Sequence, residues 1–185
     1  MANPLIERIL PKEAAARDQL IEYKGKVGDF GRLVEIVEAD IAAVSTQIRP
    51  QNWRAEPVDI RLKFGWADGL QDVPAISGRA STVLPAVCQR CLATFGLELE
   101  ASVNMLLLAA EAAAEAETHE VWELEEEAFL ALDVVEEALV MAMPLAPTHD
   151  ADDACKALTV ETEDSGPDTA RPFADLRSQM EKTDN

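Results

Sequence analysis

Two thiols separated by two residues, Cys88-Gln89-Arg90-Cys91, are the part of this sequence best suited to chemistry. Thiolates at positions i and i+3 of a turn fall on one side of the chain and can grip a metal ion. The chain holds one further cysteine, Cys155, and a histidine six residues before it, His149. Cys88, Cys91, Cys155 and His149 make a Cys3His set, which suits zinc. Four such ligands close a tetrahedron and leave no open position, so the expected role is structural. At the level of sequence a plainer reading stays open. In it, Cys88 and Cys91 are strand-end residues, Cys155 sits in a loop and His149 is an exposed loop histidine. A redox CxxC opens a helix whose N-terminus lowers a thiol pKa, whereas strand patterns flank this one on both sides. Arg90, between the thiols, can meet an RNA phosphate or a partner carboxylate, or simply solvate the turn.

The elements that must position these residues are read from hydropathy. Val58, Ile60, Leu62, Phe64 and Trp66 alternate with polar or small residues, as in a half-buried strand. A second run, Pro74 to Val87, leads into the cysteines. In a third, Phe95, Leu97, Leu99, Ala101, Val103 and Met105 share one face. The CxxC therefore occupies the connection of a hairpin, and Ala67-Asp68-Gly69 is a turn signal between the first two strands. Residues 4–10 read as a short edge strand or extended lead-in. The spacing predicts a helix over Pro11 to Tyr23. A second helix is capped by Asp29, with Leu33, Val34, Ile36, Val37 and Ile41 inward. Val121 to Leu124 reads as one more strand. Asp133 and Glu136 resemble a capping box for a helix burying Val134, Val135, Ala138, Leu139 and Ala142, stopped by Pro144. Ala109 to Thr118 reads as an acidic loop. Trp66 continues a core face, and Trp53 reads as core or edge packing.

Charge is unevenly placed. The net charge is -19. Residues 1–110 carry 14 acidic and 12 basic side chains, residues 111–164 carry 17 and one, and residues 165–185 carry four and three. The middle segment, at net -16, repels phosphate and suits a basic partner. It also fits a face that serves only solubility. Glu123, Glu125, Glu126 and Glu127 are its candidate binding residues. Lys24, Lys26 and Arg32, joined by Arg49, Arg54, Arg61 and Lys63, form the one basic cluster an RNA could use. His119 is assigned no role. No phosphate loop, GxGxxG, GxSxG or HExxH is present, so nothing favours an enzyme. Three cysteines in a chain this long point to a reducing compartment. With no basic-then-apolar leader and no apolar run of membrane length, the expectation is a cytoplasmic protein with no membrane contact and no small-molecule substrate.

Five segments in order resemble the YceD family of large ribosomal RNA subunit accumulation proteins: Tyr23 with Gly25; Cys88-Gln89-Arg90-Cys91 with Phe95; Met141-Ala142-Met143-Pro144-Leu145-Ala146-Pro147; His149-Asp150 leading to Cys155; and Arg171-Pro172-Phe173-Ala174-Asp175-Leu176. The acidic stretch Glu111 to Glu117 is particular to this chain. The resemblance implies a role in making or stabilising the large ribosomal subunit, and it implies no reaction.

The expected fold is α+β. A mostly antiparallel meander sheet, long enough to curl into a partly open barrel, is flanked by helices over residues 1–160. A polar tail, 161–185, carries a short docking motif of Phe173 and Leu176, three apart on one helical turn. The expected function is that of a non-enzymatic ribosome-biogenesis factor supporting large-subunit ribosomal RNA accumulation. It would act by binding a basic ribosomal protein or a large-subunit precursor. The alternative is a metal- or thiol-dependent enzyme of RNA metabolism.

Overall fold

A computed structural model describes residues 3–42, 50–68, 70, 72–109, 112, 120–149 and 155. The tail with Phe173 and Leu176, together with Arg49 and His119, lies outside them. Residues 1–150 form one compact unit. Its frame is a five-stranded sheet in the order β2 (Leu20–Lys26), β3 (Pro57–Trp66), β4 (Pro74–Val87), β5 (Thr94–Ala109) and β6 (Val121–Leu124). The first four strands run as an antiparallel meander, and β6 joins β5 in parallel. The sheet is not a closed barrel. Two short strands, β1 (Arg8–Ile9) and β7 (Phe129–Leu130), pair apart from it.

Period-2 alternation puts Val58, Ile60, Leu62 and Phe64 of β3 and Leu99, Ala101 and Val103 of β5 on one buried face. The helices α1 (Pro11–Ala16), α2 (Gly31–Ile41) and α3 (Ala131–Ala142) cover that face, and Leu5, Val27, Phe30, Trp53 and Phe129 join the same core from the connecting segments and short strands. Leu33, Val37 and Ile41 of α2 are buried, each contributing about 1.5–3 kcal/mol. So are Val134, Val135, Ala138 and Leu139 of α3. The opposite face of the sheet is polar, with Glu22, Lys24, Asp59, Arg61, Arg79 and Glu100 along it. Gly78 sits where β4 crosses close over β3. A Cβ there would stand 2.0 Å from the Arg61 carbonyl oxygen. Among the described residues no helix is long and apolar enough to cross a membrane.

Four local expectations are corrected. The helix from Pro11 ends at Ala16, and Leu20 to Tyr23 belong to β2. Ladder pairing with β3 outweighs the alanine-rich lead. Asp29 does not cap α2. Its carboxylate accepts from the Lys26 amide, at 2.9 Å, and holds a 3-10 turn at residues 27–29. Asp133 is not a cap either, because α3 begins at Ala131 and Asp133 lies within its first turn. Glu136, its supposed partner, instead caps α2 from across the core. Its Oε1 accepts from the Arg32 and Leu33 amides at 2.8 and 3.2 Å. Trp66, at the last position of β3, is 43% exposed, so the buried alternation of Val58 to Phe64 does not carry through to the strand end.

Candidate metal centre

The β4–β5 hairpin closes at Cys88 and Ala93. The Cys88 amide donates to the Ala93 carbonyl at 2.9 Å, and the Leu92 amide donates back to the Cys88 carbonyl at 2.9 Å. The six-residue connection can turn so tightly because Leu92 adopts a left-handed conformation (φ 59°). Cys88 is thereby fixed at the end of a ladder with its side chain inward, fully buried. Cys91 stands on the far side of the turn, half-buried.

The chain beyond α3 returns to this tip. Pro144 follows the helix end, and an irregular strap from Met143, bent at Leu145 and Ala146, runs to His149. Two hydrogen bonds fasten the strap to the turn. The Gln89 amide donates to the Pro147 carbonyl at 2.9 Å. The Arg90 guanidinium donates to the His149 carbonyl at 2.7 Å. The Phe95 ring, at the start of β5, packs against the imidazole with centroids 5.3 Å apart and planes tilted by 58°. Thus held, His149 Nε2 lies 3.1 Å from Cys91 Sγ.

Cys155 is also buried, and its sulfur joins the group. One ligand atom from each of Cys88, Cys91, His149 and Cys155 lies within 4.8 Å of all the others. No disulfide joins the cysteines. Three sulfurs and an imidazole converging in a largely buried place form a donor set that can hold a metal ion. Burial pushes the Cys88 thiol up. Backbone hydrogen bonds from Cys91, Arg90 and His149, with one from the Cys91 side chain, outweigh burial and lower it from 9.0 to about 6. A thiol held ready as thiolate is the form a metal takes.

All four residues expected to ligate are thus brought together. Arg90 stays exposed, and one arm of its guanidinium ties the strap. The roles of the Gln89 amide and the Pro147 carbonyl carry no signal in the sequence, because a backbone contact across 58 residues has no residue-type signature. Phe95 could have been found as an aromatic next to a CxxC.

The charged residues divide differently. Glu123, Glu125 and Glu127 are exposed, and Glu126 is paired with Arg8. In the basic cluster Lys24 pairs with Asp59 at 3.2 Å and Arg61 with Glu22 at 3.3 Å. Arg32 pairs with Glu137 and Arg54 with Glu38. That cluster is therefore largely neutralised by its own neighbours. Trp53, buried at 7% exposure, has Arg54 stacked over its ring at 5.1 Å.

No curated protein and no solved structure matches the chain. The sequence model of the family described as large ribosomal RNA subunit accumulation protein YceD matches residues 76–184. The match begins in β4, so the CxxC, the strap and Cys155 fall inside it, while Tyr23 and Gly25 fall outside. It spans more than half of the 185 residues, and the chain belongs to the YceD family, which is named for accumulation of the large ribosomal RNA subunit.

Proposed function

We propose that the chain is a non-enzymatic ribosome-biogenesis factor that sustains large-subunit ribosomal RNA by holding a basic ribosomal protein or a large-subunit precursor. The family match is the observation that carries this reading. Net charge of -16 over residues 111–164 supports a basic partner over naked RNA. Depleting the protein from cells tests it. The ratio of large- to small-subunit ribosomal RNA should fall, and affinity capture at moderate salt should retain a basic protein or precursor. An unchanged ratio would overturn the reading. Cleavage of RNA by the purified protein would favour the enzyme instead.

Within that role Cys88, Cys91, His149 and Cys155 hold zinc as a structural ion. Tetrahedral zinc spaces sulfur and nitrogen donors about 3.6–3.8 Å apart. The donors here, all within 4.8 Å and with His149 Nε2 and Cys91 Sγ at 3.1 Å, need only a small adjustment. The ion would supply folding free energy directly, binding the strap to the hairpin tip. Protein made in zinc-replete, reducing conditions should carry close to one equivalent. Cys88→Ser should lose it and melt lower. Metal-free wild-type protein from such a preparation would remove the zinc assignment and leave the biogenesis role standing.

A further inference from the structure

The long β4–β5 hairpin has a second special place at its root. There β5 outruns β4. The last rung of their ladder is Ala75 with Leu106. Leu107, Leu108 and Ala109 pair with β6 alone among the described residues. The next residue of β4 beyond that rung is Pro74, which has no N–H to offer. This overhang borders a groove of about 870 Å³, against about 580 Å³ for the cleft on the polar sheet face.

The floor of the groove is apolar, from Leu107, Leu108 and Leu124, with Leu10 left 41% exposed at its side. The rim is acidic. Glu13, Asp72, Glu125, Glu126 and Glu127 line it, with Lys12 the one cation there among the described residues. Arg17 and Arg8 already pair with Glu13 and Glu126. Among the described residues, Asp72, Glu125 and Glu127 are the rim carboxylates with no ion pair. A small-molecule site would place a few polar groups at its base to orient the ligand, and here the charged groups stand on the rim. An open strand edge takes a strand, an apolar floor takes alternate side chains, and an acidic rim takes cations.

We propose that this groove binds a basic, extended polypeptide segment, which adds as a strand beside Leu107–Ala109 with apolar side chains on the floor and Lys or Arg against the rim. This rests on the reading of a basic protein partner and says where that partner is held. An RNA strand finds no place on this rim, because its phosphates would meet the carboxylates.

The test uses the full chain and a fluorescent peptide alternating Lys or Arg with Val. Binding should saturate and weaken with salt. The double variant E125Q/E127Q should weaken it about tenfold, since rim charges set encounter and register. The charge-matched double E98Q/E100Q, on the polar sheet face, should leave it within about twofold, because screening isolates distant exposed charges. Leu10→Ser should weaken binding with no change of charge, and amides of Leu107–Ala109 should exchange more slowly with peptide bound. Equal loss in the two doubles would overturn the proposal. So would equal binding of a peptide with Gly in place of Val, or displacement of the peptide by a uridine oligonucleotide. Groove binding with no fall in ribosomal RNA on depletion would sink the biogenesis role alone. A fall in ribosomal RNA with no groove binding would sink the groove alone.

Discussion

Replacing Arg90 with Gln isolates what fastens the candidate metal centre without touching any of the four donors. Arg90 is exposed, so the substitution leaves no cavity, and it removes the hydrogen bond to the His149 carbonyl at 2.7 Å. A charged donor to a neutral carbonyl is worth up to about 1.5–3 kcal/mol when buried, and about 1 kcal/mol is the fitting figure at this exposed site. The strap keeps its other tie, the Gln89 amide to the Pro147 carbonyl at 2.9 Å. The lost energy should therefore appear as a looser His149 rather than as a lost fold. About 1 kcal/mol is roughly a fivefold weaker zinc affinity, below the 10- to 100-fold range known for outer-shell partners, as fits an exposed tie with a second one beside it. Competition against a chromophoric chelator measures it, with Cys91→Ser as the reference for outright loss. Circular dichroism of the zinc-free proteins should be the same for wild type and Arg90→Gln. An Arg90→Gln affinity within about twofold of wild type, while Cys91→Ser fails to hold metal, would show that the tie does nothing for the site. A change in the zinc-free spectrum would show that Arg90 serves the fold instead.

Glu136→Ala removes the carboxylate that caps α2 and should cost about 1 kcal/mol, or about 2–4 °C in melting temperature, with most of it restored in Glu136→Gln. Equal losses in the two would refute the cap. Gly78→Ala drives a Cβ into the Arg61 carbonyl, 2.0 Å away, and should cost more than about 2 kcal/mol in urea unfolding. A loss below about 0.5 kcal/mol would mean that β3 and β4 part easily. In zinc-free protein the folded Cys88 thiol, lowered from 9.0 to about 6, contributes stability that is full above the unfolded value. It shrinks as pH falls between those values and is gone below the folded one. The melting-temperature gap between wild type and Cys88→Ser should close in that direction, and a gap constant with pH would refute it. Zinc removal should leave peptide binding at the hairpin root unchanged within about twofold, since about 40 Å of strand lies between Pro74 and Cys88. A larger change would show that the hairpin couples its two ends.

The strands were legible because burial on one face writes itself as alternation. β3 and β4 have the bounds that their patterns suggest, while β5 runs past Met105 to Ala109, which reads as loop in the sequence. What misled was local chemistry with a stronger tertiary competitor. Ala14 to Ala16 favour helix, but Ile21 and Tyr23 pair with Leu62 and Ile60, and the ladder takes the chain from Leu20. Asp29 and Asp133 are good caps by residue type. Each lies near a helix start, yet Phe30 and Leu130 occupy the cap positions without a side-chain bond. The donors at the start of α2 are met instead by Glu136, 103 residues distant from Leu33. A local reading sees only caps within a turn, so this one was out of reach.

The four converging donors were legible for a different reason. Cys and His in a chain with three cysteines leave few ways to assemble four soft donors, and the hairpin fixes two of them. The shell that orients them was not legible. Arg90 looks like a solvating residue in any turn, and only the strap's carbonyl, placed by the stop at Pro144, gives it a partner. The groove was half legible. Its carboxylates stand out as a run, Glu125 to Glu127, but a charge run alone is most often a solvated face. The apolar floor that gives it meaning comes from Leu10, Leu107 and Leu124, on three different elements. Those residues look like ordinary core in sequence. They become a floor only because β5 is three residues longer than the ladder that β4 offers it. A mismatch of strand lengths is a property of pairing, and no single segment records it.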